Sequence, residues 1–108
     1  FDQQFGHRND AAGFYGALQQ FDRALPSLLS ALREDDLLAL TADHGNDPTT
    51  PSTDHARERV PLLVVGPRVR PVHVGERGSF ADLGATIAEW FGISFRGTGT
   101  SFLSEILA

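Results

Sequence analysis

The fold is decided by residues 37–45, which read LLALTADHG. The first five residues form a continuous apolar run, which is typical of a strand buried on both faces of a sheet. The run stops where an aspartate, a histidine and a glycine follow. A second run, VPLLVV at 60–65, ends at Gly66-Pro67, and its early proline fits the first residues of a strand. We therefore predict two strands joined by a polar loop at 45–59.

Helical patterns flank these two strands. Residues 11–33 carry apolar side chains at steps of three and four, which is the spacing of one helix face. Pro26 lies within this pattern and predicts either a kink or two consecutive helices. Residues 79–82 resemble a capping box that opens another helix, and Gly92 fits its C-terminal end. The apolar face of that helix comprises Leu83, Ile87, Trp90 and Phe91.

Further elements are less marked. Residues 69–74 predict a third, weaker strand, and residues 102–107 predict a last helical turn. The aromatic side chains that we expect in the core are Phe14, Phe21, Trp90 and Phe91. Alternation of strands and helices indicates an α/β fold with a mostly parallel sheet. Such a sheet needs more strands than these, and the first residue is Phe1 instead of Met, so we expect a piece of a longer protein.

Composition narrows the range of partners. The 108 residues carry 9 basic and 14 acidic side chains, and the net charge of −5 argues against nucleic-acid or anionic-membrane partners. The absence of cysteine excludes a disulfide scaffold, a thiolate nucleophile and a sulfur-ligated metal. No apolar run reaches the roughly 18–20 residues that span a bilayer, and no signal peptide is evident at the start. We expect a cytoplasmic protein that binds neither nucleic acid nor a membrane.

Aspartate and histidine occur together at three places. These are Asp2 with His7, Asp43 with His44, and Asp54 with His55. Imidazole and carboxylate without sulfur suit Zn, Mn or Fe in a hydrolytic or phosphoryl-transfer site. The pair at 43–44 follows a predicted buried strand directly, at the sheet edge where open α/β folds bind their ligands. A solvated turn is the alternative for any single pair.

Longer motifs give a family resemblance. Residues 1–10 read FDQQFGHRND, residues 41–49 read TADHGNDPT, and residues 52–63 read STDHARERVPLL. With SFADLGATIAEWFG at 79–92 and GTSFL at 99–103, they resemble the C-terminal part of the phosphopentomutase family, within the alkaline phosphatase superfamily. TADHGN is shared with cofactor-independent phosphoglycerate mutase, whereas GHR at 6–8 and the segment at 53–63 favour the pentomutase.

The resemblance implies a fold and an activity. Residues 1–108 would form the C-terminal portion of a metal-binding catalytic core domain, a three-layer αβα alkaline-phosphatase-like core, without the family's cap domain. The implied reaction interconverts (deoxy)ribose 1-phosphate and (deoxy)ribose 5-phosphate through a phosphothreonine enzyme. The nucleophilic threonine would lie outside this chain, so the chain alone is expected to be inactive and to expose apolar surface where the missing N-terminal part would pack.

Three alternatives stay open beside the pentomutase. The first is a metal-dependent phosphatase or phosphodiesterase of the same superfamily, and the second is a cofactor-independent phosphoglycerate mutase. The third is a non-catalytic fragment that binds metal only for structure, or not at all. The sequence upstream of this chain would discriminate them.

The resemblance also implies a ligand set for two divalent ions, usually Mn²⁺. Asp2, His7 and His55 would bind one ion, and Asp43 and His44 would bind the other.

Other polar residues have weaker assignments. Arg8 and Arg57 flank the expected ligands and could contact the pentose phosphate substrate, because a guanidinium matches phosphate oxygens with paired donors. A salt bridge to a ligand carboxylate is the alternative for both arginines. Asp54 would orient a neighbouring ligand or cap the loop. His73 lies outside the motifs, and we expect it on the surface.

Overall fold

A computed structural model describes residues 10–45 and 59–108. Its elements are α1 (Ala11–Ala31), β1 (Leu38–Leu40), β2 (Leu63–Val65), α2 (Ala81–Trp90) and α3 (Leu103–Ile106). The chain divides into two compact units, Phe1–Pro67 and Arg68–Ala108. Helices and strands are both present, so the predicted α/β class is confirmed. In the described ranges, no helix has the length and apolar character needed to cross a membrane.

Helix α1 begins where its sequence provides a cap. The Asp10 side chain accepts a hydrogen bond from the Gly13 amide at 2.9 Å, which satisfies one of the donors that a helix start leaves open. Pro26 lies inside the helix, which stays helical through all 21 residues. The prediction of two consecutive helices is therefore wrong. Pro26 removes one backbone donor, and the turns on both sides hold the segment helical.

The apolar stripe of α1 is only partly buried. No residue of α1 is buried, and the exposed fraction of the Phe21 side chain is 40%. Phe14 is half-buried. The core position predicted for Phe21 is thus wrong in this structure, because its side chain stays 40% exposed.

Strands β1 and β2 form an antiparallel pair. Leu38 lies opposite Val65, and Leu40 lies opposite Leu63. The expected parallel arrangement is therefore wrong for these two strands. A parallel pair requires a crossover of a dozen or more residues, usually a helix, and the sequence between the strands carries no helical pattern. Leu63 and Val65 are exposed while Val64 between them is half-buried, so β2 is not buried on both faces.

The predicted third strand is reduced to one contact within the second unit. Val69 forms an isolated antiparallel bridge with Leu107. The Arg70 amide donates to the Ile106 carbonyl at 2.8 Å, and the Ala108 amide donates to the Arg68 carbonyl at 3.0 Å. The first and last residues of this unit are therefore hydrogen-bonded neighbours.

Helix α2 ends as its sequence predicts. Gly92 has a φ of +68°, a left-handed conformation that favours glycine. The Gly92 amide donates to the Glu89 carbonyl at 3.0 Å, and the Ile93 amide donates to the Ala88 carbonyl at 2.8 Å. This pair of bonds is the Schellman motif, which satisfies carbonyls left open at a helix end.

The buried face of α2 differs from the predicted one. Its buried residues are Asp82, Ala85 and Thr86. Ile87 and Phe91, which we predicted to face the core, are exposed, and Phe91 is 68% exposed. Leu83 and Trp90 are half-buried. The prediction failed because the C-terminal segment packs on the face that presents small and polar side chains.

The second unit contains the buried apolar side chains of the described residues. They are Ala85 from α2 together with Phe102, Leu103 and Ile106. The last three belong to the predicted final helical turn, which the structure confirms as α3.

Candidate metal centre

The end of β1 carries the predicted ligand pair. After Leu40 the chain leaves the strand, and a bend at Asp43 and His44 turns it into the bridge residue Gly45. The Asp43 side chain is 91% exposed, whereas the His44 side chain is 26% exposed. The Asp43 carboxylate that follows β1 is thus exposed to solvent, whereas the His44 imidazole is partly buried.

The imidazole of His44 is oriented by the backbone of the next residue, Gly45. Its Nδ1 lies 2.8 Å from the Gly45 carbonyl oxygen. Because a carbonyl can only accept, Nδ1 carries the proton, and the lone pair of the neutral ring is then on Nε2. Nε2 lies 3.7 Å from Oδ1 of Asp43. The two ligand atoms that the sequence predicts for one ion therefore lie on the same side of the bend.

The other expected site residues lie outside the described residues. This applies to Asp2, His7 and His55 of the first predicted ion site, to Arg8 and Arg57, and to Asp54. Residues 10–45 and 59–108 contain no group of three or more histidine, aspartate or glutamate side chains that could hold a metal ion. Within these ranges the structure brings together Asp43 and His44 and leaves the complete ligand sets as predictions.

Comparison with protein-family models identifies the family of this chain. Residues 1–95 match the model of the metalloenzyme superfamily. The chain belongs to the metalloenzyme superfamily. Membership implies divalent metal ions, and the matched range includes every residue that we predicted to bind metal.

Several curated relatives are similar in sequence to this chain. A phosphopentomutase of Anaeromyxobacter sp. (strain K) is 60% identical over 106 residues, which are 98% of this chain and 27% of the relative. One from Kosmotoga olearia is 56% identical, over 99% of this chain and 28% of the relative. One from Yersinia pestis is 53% identical, over 95% of this chain and 25% of the relative. The chain therefore spans about a quarter of the length of the curated relatives that it matches.

The described pair fits a divalent ion of a metalloenzyme. Metal-binding histidines usually donate their other ring N–H to a carbonyl or carboxylate, which fixes the tautomer, and His44 does so toward Gly45. With metal–ligand bonds of about 2.1 Å, two ligands of one ion lie at most about 4.2 Å apart. The 3.7 Å between Nε2 and Oδ1 of Asp43 satisfies this limit. Imidazole and carboxylate are also the ligand types that Zn, Mn and Fe accept.

His73 belongs to the second unit. It is exposed, as predicted, and its Nδ1 accepts a hydrogen bond from the Gly75 amide at 3.1 Å. In His73 the ring nitrogen accepts from the backbone, whereas in His44 the ring donates to it. The two histidines thus adopt opposite tautomers, and only His44 matches the usual arrangement of a metal-binding histidine.

A polar cluster in the second unit was not predicted from the sequence. Asp82 was predicted only as a member of a capping box. The predicted capping box does not form, because the N-cap of α2 is Phe80 and it makes no side-chain capping bond. The Ser79 hydroxyl accepts from the Ala81 amide at 3.0 Å. The Asp82 carboxylate instead accepts from the Thr100 amide at 2.9 Å and from Nε of Arg77 at 2.8 Å. These two donors hold the pKa of Asp82 below its usual range. The Thr100 amide has the larger effect and Arg77 the smaller one.

Proposed function

We propose that this chain is the C-terminal part of a phosphopentomutase, and that it supplies metal ligands to the two-ion catalytic site of the core domain. The observation that carries the proposal is the identity of 53–60% to proteins of that name along nearly the whole chain. The reaction would interconvert pentose 1-phosphate and pentose 5-phosphate through a phosphothreonine formed on a part of the enzyme outside these residues. The names of the relatives favour this function over the phosphatase, phosphodiesterase and phosphoglycerate mutase alternatives.

The proposed ligand sets are those that the family resemblance implies. Asp2, His7 and His55 would hold one ion, and Asp43 and His44 would contribute to the other. Mn²⁺ is the proposed metal at both positions. The geometry at residues 43–45 supports the second assignment, because the hydrogen bond from His44 to the Gly45 carbonyl presents Nε2 on the side of Asp43.

The residues of the chain have defined tasks in this proposal. When bound, two divalent ions stabilise the charge that develops on the attacking and leaving oxygens of an in-line phosphoryl displacement. His44 must be neutral to bind, and its bond to Gly45 keeps the proton on Nδ1, away from the ion. Asp43 brings negative charge next to that imidazole. Arg8 and Arg57 are proposed to orient the substrate phosphate with paired donors.

The same proposal covers the surroundings of the site. Residues 1–108 would belong to a three-layer αβα core, whose remaining strands and cap domain are supplied by the N-terminal part of the enzyme. The exposed stripe on α1 is the kind of surface that such a part would cover. A cytoplasmic location is proposed as well, and a cysteine-free sequence is compatible with it.

The function is tested by grafting this chain onto a relative. The matching C-terminal residues of the Anaeromyxobacter enzyme are replaced by residues 1–108, and conversion of ribose 1-phosphate to ribose 5-phosphate is measured with Mn²⁺. We expect the chimera to be active. Loss of a residue that merely orients a ligand costs 10- to 100-fold, so His44→Ala should lower kcat/KM by at least about 100-fold.

The matched control is His73→Ala, which removes a histidine that accepts from the backbone and is not in the proposed ligand set. Its activity should stay within about twofold of the unmodified chimera. A folded chimera that binds Mn²⁺ but does not convert the substrate would overturn the pentomutase proposal. Equal activity in the His44→Ala and His73→Ala variants would instead remove His44 from the ligand set.

A further inference from the structure

The C-terminal segment of the second unit poses a hydrogen-bonding problem. Residues 99–102 belong to neither a helix nor a strand, so no backbone ladder satisfies their amides. Phe102 nevertheless has a fully buried side chain, with an exposed fraction of 0%. A buried backbone amide that lacks an acceptor is strongly unfavourable. The amides of this segment must therefore find acceptors on whatever it packs against.

Two side chains of α2 provide those acceptors. Oδ1 of Asp82 accepts from the Thr100 amide at 2.9 Å, and Oγ1 of Thr86 accepts from the Phe102 amide at 3.0 Å. Residues four apart on a helix are separated by about 6 Å along its axis. Alternate residues of an extended chain are separated by about 6.6 Å. The spacing of the two acceptors thus matches the spacing of the two donors.

Both acceptors are themselves held in place. The Thr86 hydroxyl donates to the Asp82 carbonyl at 2.8 Å, so its lone pairs are directed at the Phe102 amide. Oδ2 of Asp82 is bound by Nε of Arg77 at 2.8 Å. The Thr86 side chain is 1% exposed, which excludes water as a substitute acceptor.

Arg77 extends the same cluster to other segments. Its Nη1 donates to the Val74 carbonyl at 3.2 Å and lies 3.7 Å from the Glu105 carboxylate in α3. Its guanidinium carbon lies 5.3 Å from the centroid of the Phe102 ring, within the range of a cation–π interaction. A single arginine thus contacts both the acceptor Asp82 and the segment that Asp82 holds.

Glycine makes the close approach to α2 feasible. At Gly99 a Cβ atom would collide with the backbone of Ala81 and Asp82. The absence of a side chain lets the backbone pass directly over the first turn of α2. The amides of Thr100 and Phe102 can therefore reach the two side-chain acceptors on α2.

From these contacts we propose that Asp82 and Thr86 form a latch, the Asp82–Thr86 latch, which fastens residues 100–102 to α2 and whose release frees the C-terminal segment as a separate step. Release uncovers Phe102 and Leu103 while the elements of the first unit keep their structure. This inference does not depend on the catalytic activity proposed above.

The test is amide hydrogen exchange of the full chain, resolved by residue with NMR. Thr86→Val keeps the side-chain volume and removes the acceptor, whereas Thr86→Ser keeps the hydroxyl and is the matched control. In Thr86→Val the amides of Thr100 and Phe102 should exchange at least about tenfold faster than in Thr86→Ser. The amides of β1 should exchange at the same rate in both variants.

A second pair of variants covers the case in which Thr86→Val does not fold. Asp82→Asn keeps Oδ1 and removes the charge that Arg77 binds, and Glu89→Gln makes the same change at an exposed position of α2. The Thr100 amide should exchange at least about tenfold faster in Asp82→Asn than in Glu89→Gln. Equal rates within both pairs would overturn the latch. Equal acceleration in β1 and in residues 100–102 would also overturn it, because release would then not be a separate step.

Discussion

Replacement of Phe102 by alanine should open the second unit. Phe102 is fully buried and packs with Leu103 and Ile106 in the apolar core of that unit. Its ring also lies below the guanidinium of Arg77, at 5.3 Å. Truncation therefore removes the central side chain of a small core and one partner of a cation–π contact.

The magnitude follows from burial. Phenylalanine-to-alanine changes in a core cost about 3–5 kcal/mol. Phe91 lies in the same unit and is 68% exposed, so about a third of its surface is removed from water. Because full burial of a phenylalanine is worth about 1.5–3 kcal/mol, Phe91→Ala should cost only about 0.5–1 kcal/mol. The two variants remove identical atoms and should differ by at least about 2 kcal/mol, or about 30-fold in the opening equilibrium.

Fluorescence and hydrogen exchange measure this difference. Trp90 is the single tryptophan of the chain and lies at the end of α2, so its emission reports on the second unit. In Phe102→Ala the emission at low urea should resemble that of the unfolded chain, and the α2 amides should lose protection. Phe91→Ala should retain both signals. Similar protection in the two variants would refute the assignment of Phe102 to the core.

Two glycine substitutions and one titration extend these expectations. Gly99→Ala should abolish the protection of α2, because its Cβ would collide with the backbone there, and exchange at the wild-type rate would contradict the close approach. Gly16→Ala meets open space inside α1 and should raise helix stability by roughly 0.5–1 kcal/mol, measured by circular dichroism. The pKa of Asp82 is lowered on folding by the Thr100 amide and by Arg77. Its contribution to stability should therefore be full above the ordinary aspartate pKa of about 3.9 and be lost as the pH falls through the lower folded value. Trp90 emission between pH 6 and pH 2 checks this, and a transition centred above pH 5 would argue against it.

Local signals in the sequence predicted local structure well. The step of three and four at 11–33 predicted α1, and Gly92 predicted the end of α2, because each feature acts within a few residues. The final helical turn at 102–107 was confirmed for the same reason.

Features that depend on distant residues were predicted poorly. The buried face of α2 was assigned to its largest apolar side chains, yet the C-terminal segment packs on Asp82, Ala85 and Thr86. That choice depends on hydrogen bonds between residues 16 and 18 positions apart, which helical periodicity does not contain. The predicted parallel direction of the two strands was wrong for a similar reason, because apolar runs do not specify strand direction. The polar loop between them, which carries no helical pattern, was the better indicator of an antiparallel pair.

The candidate metal centre also combines features that could be predicted from the sequence with features that could not. The position of Asp43 and His44 directly after an apolar strand could be predicted, and the structure places Nε2 of His44 3.7 Å from Oδ1 of Asp43. That this pair binds metal stays a prediction. The tautomer of His44 could not be predicted, because it depends on the bend that brings Nδ1 to the Gly45 carbonyl. Asp2, His7 and His55 rest on motif resemblance and stay predictions.

The adjacent ends of the second unit have a practical consequence. Arg68 and Ala108 are hydrogen-bonded to each other, so the unit begins and finishes at one point on its surface. Segments with neighbouring ends tolerate insertion into a host loop and circular permutation. Residues 68–108 could therefore be transplanted as a cassette between two closely spaced positions of an unrelated scaffold, where their folding could be followed through Trp90 alone.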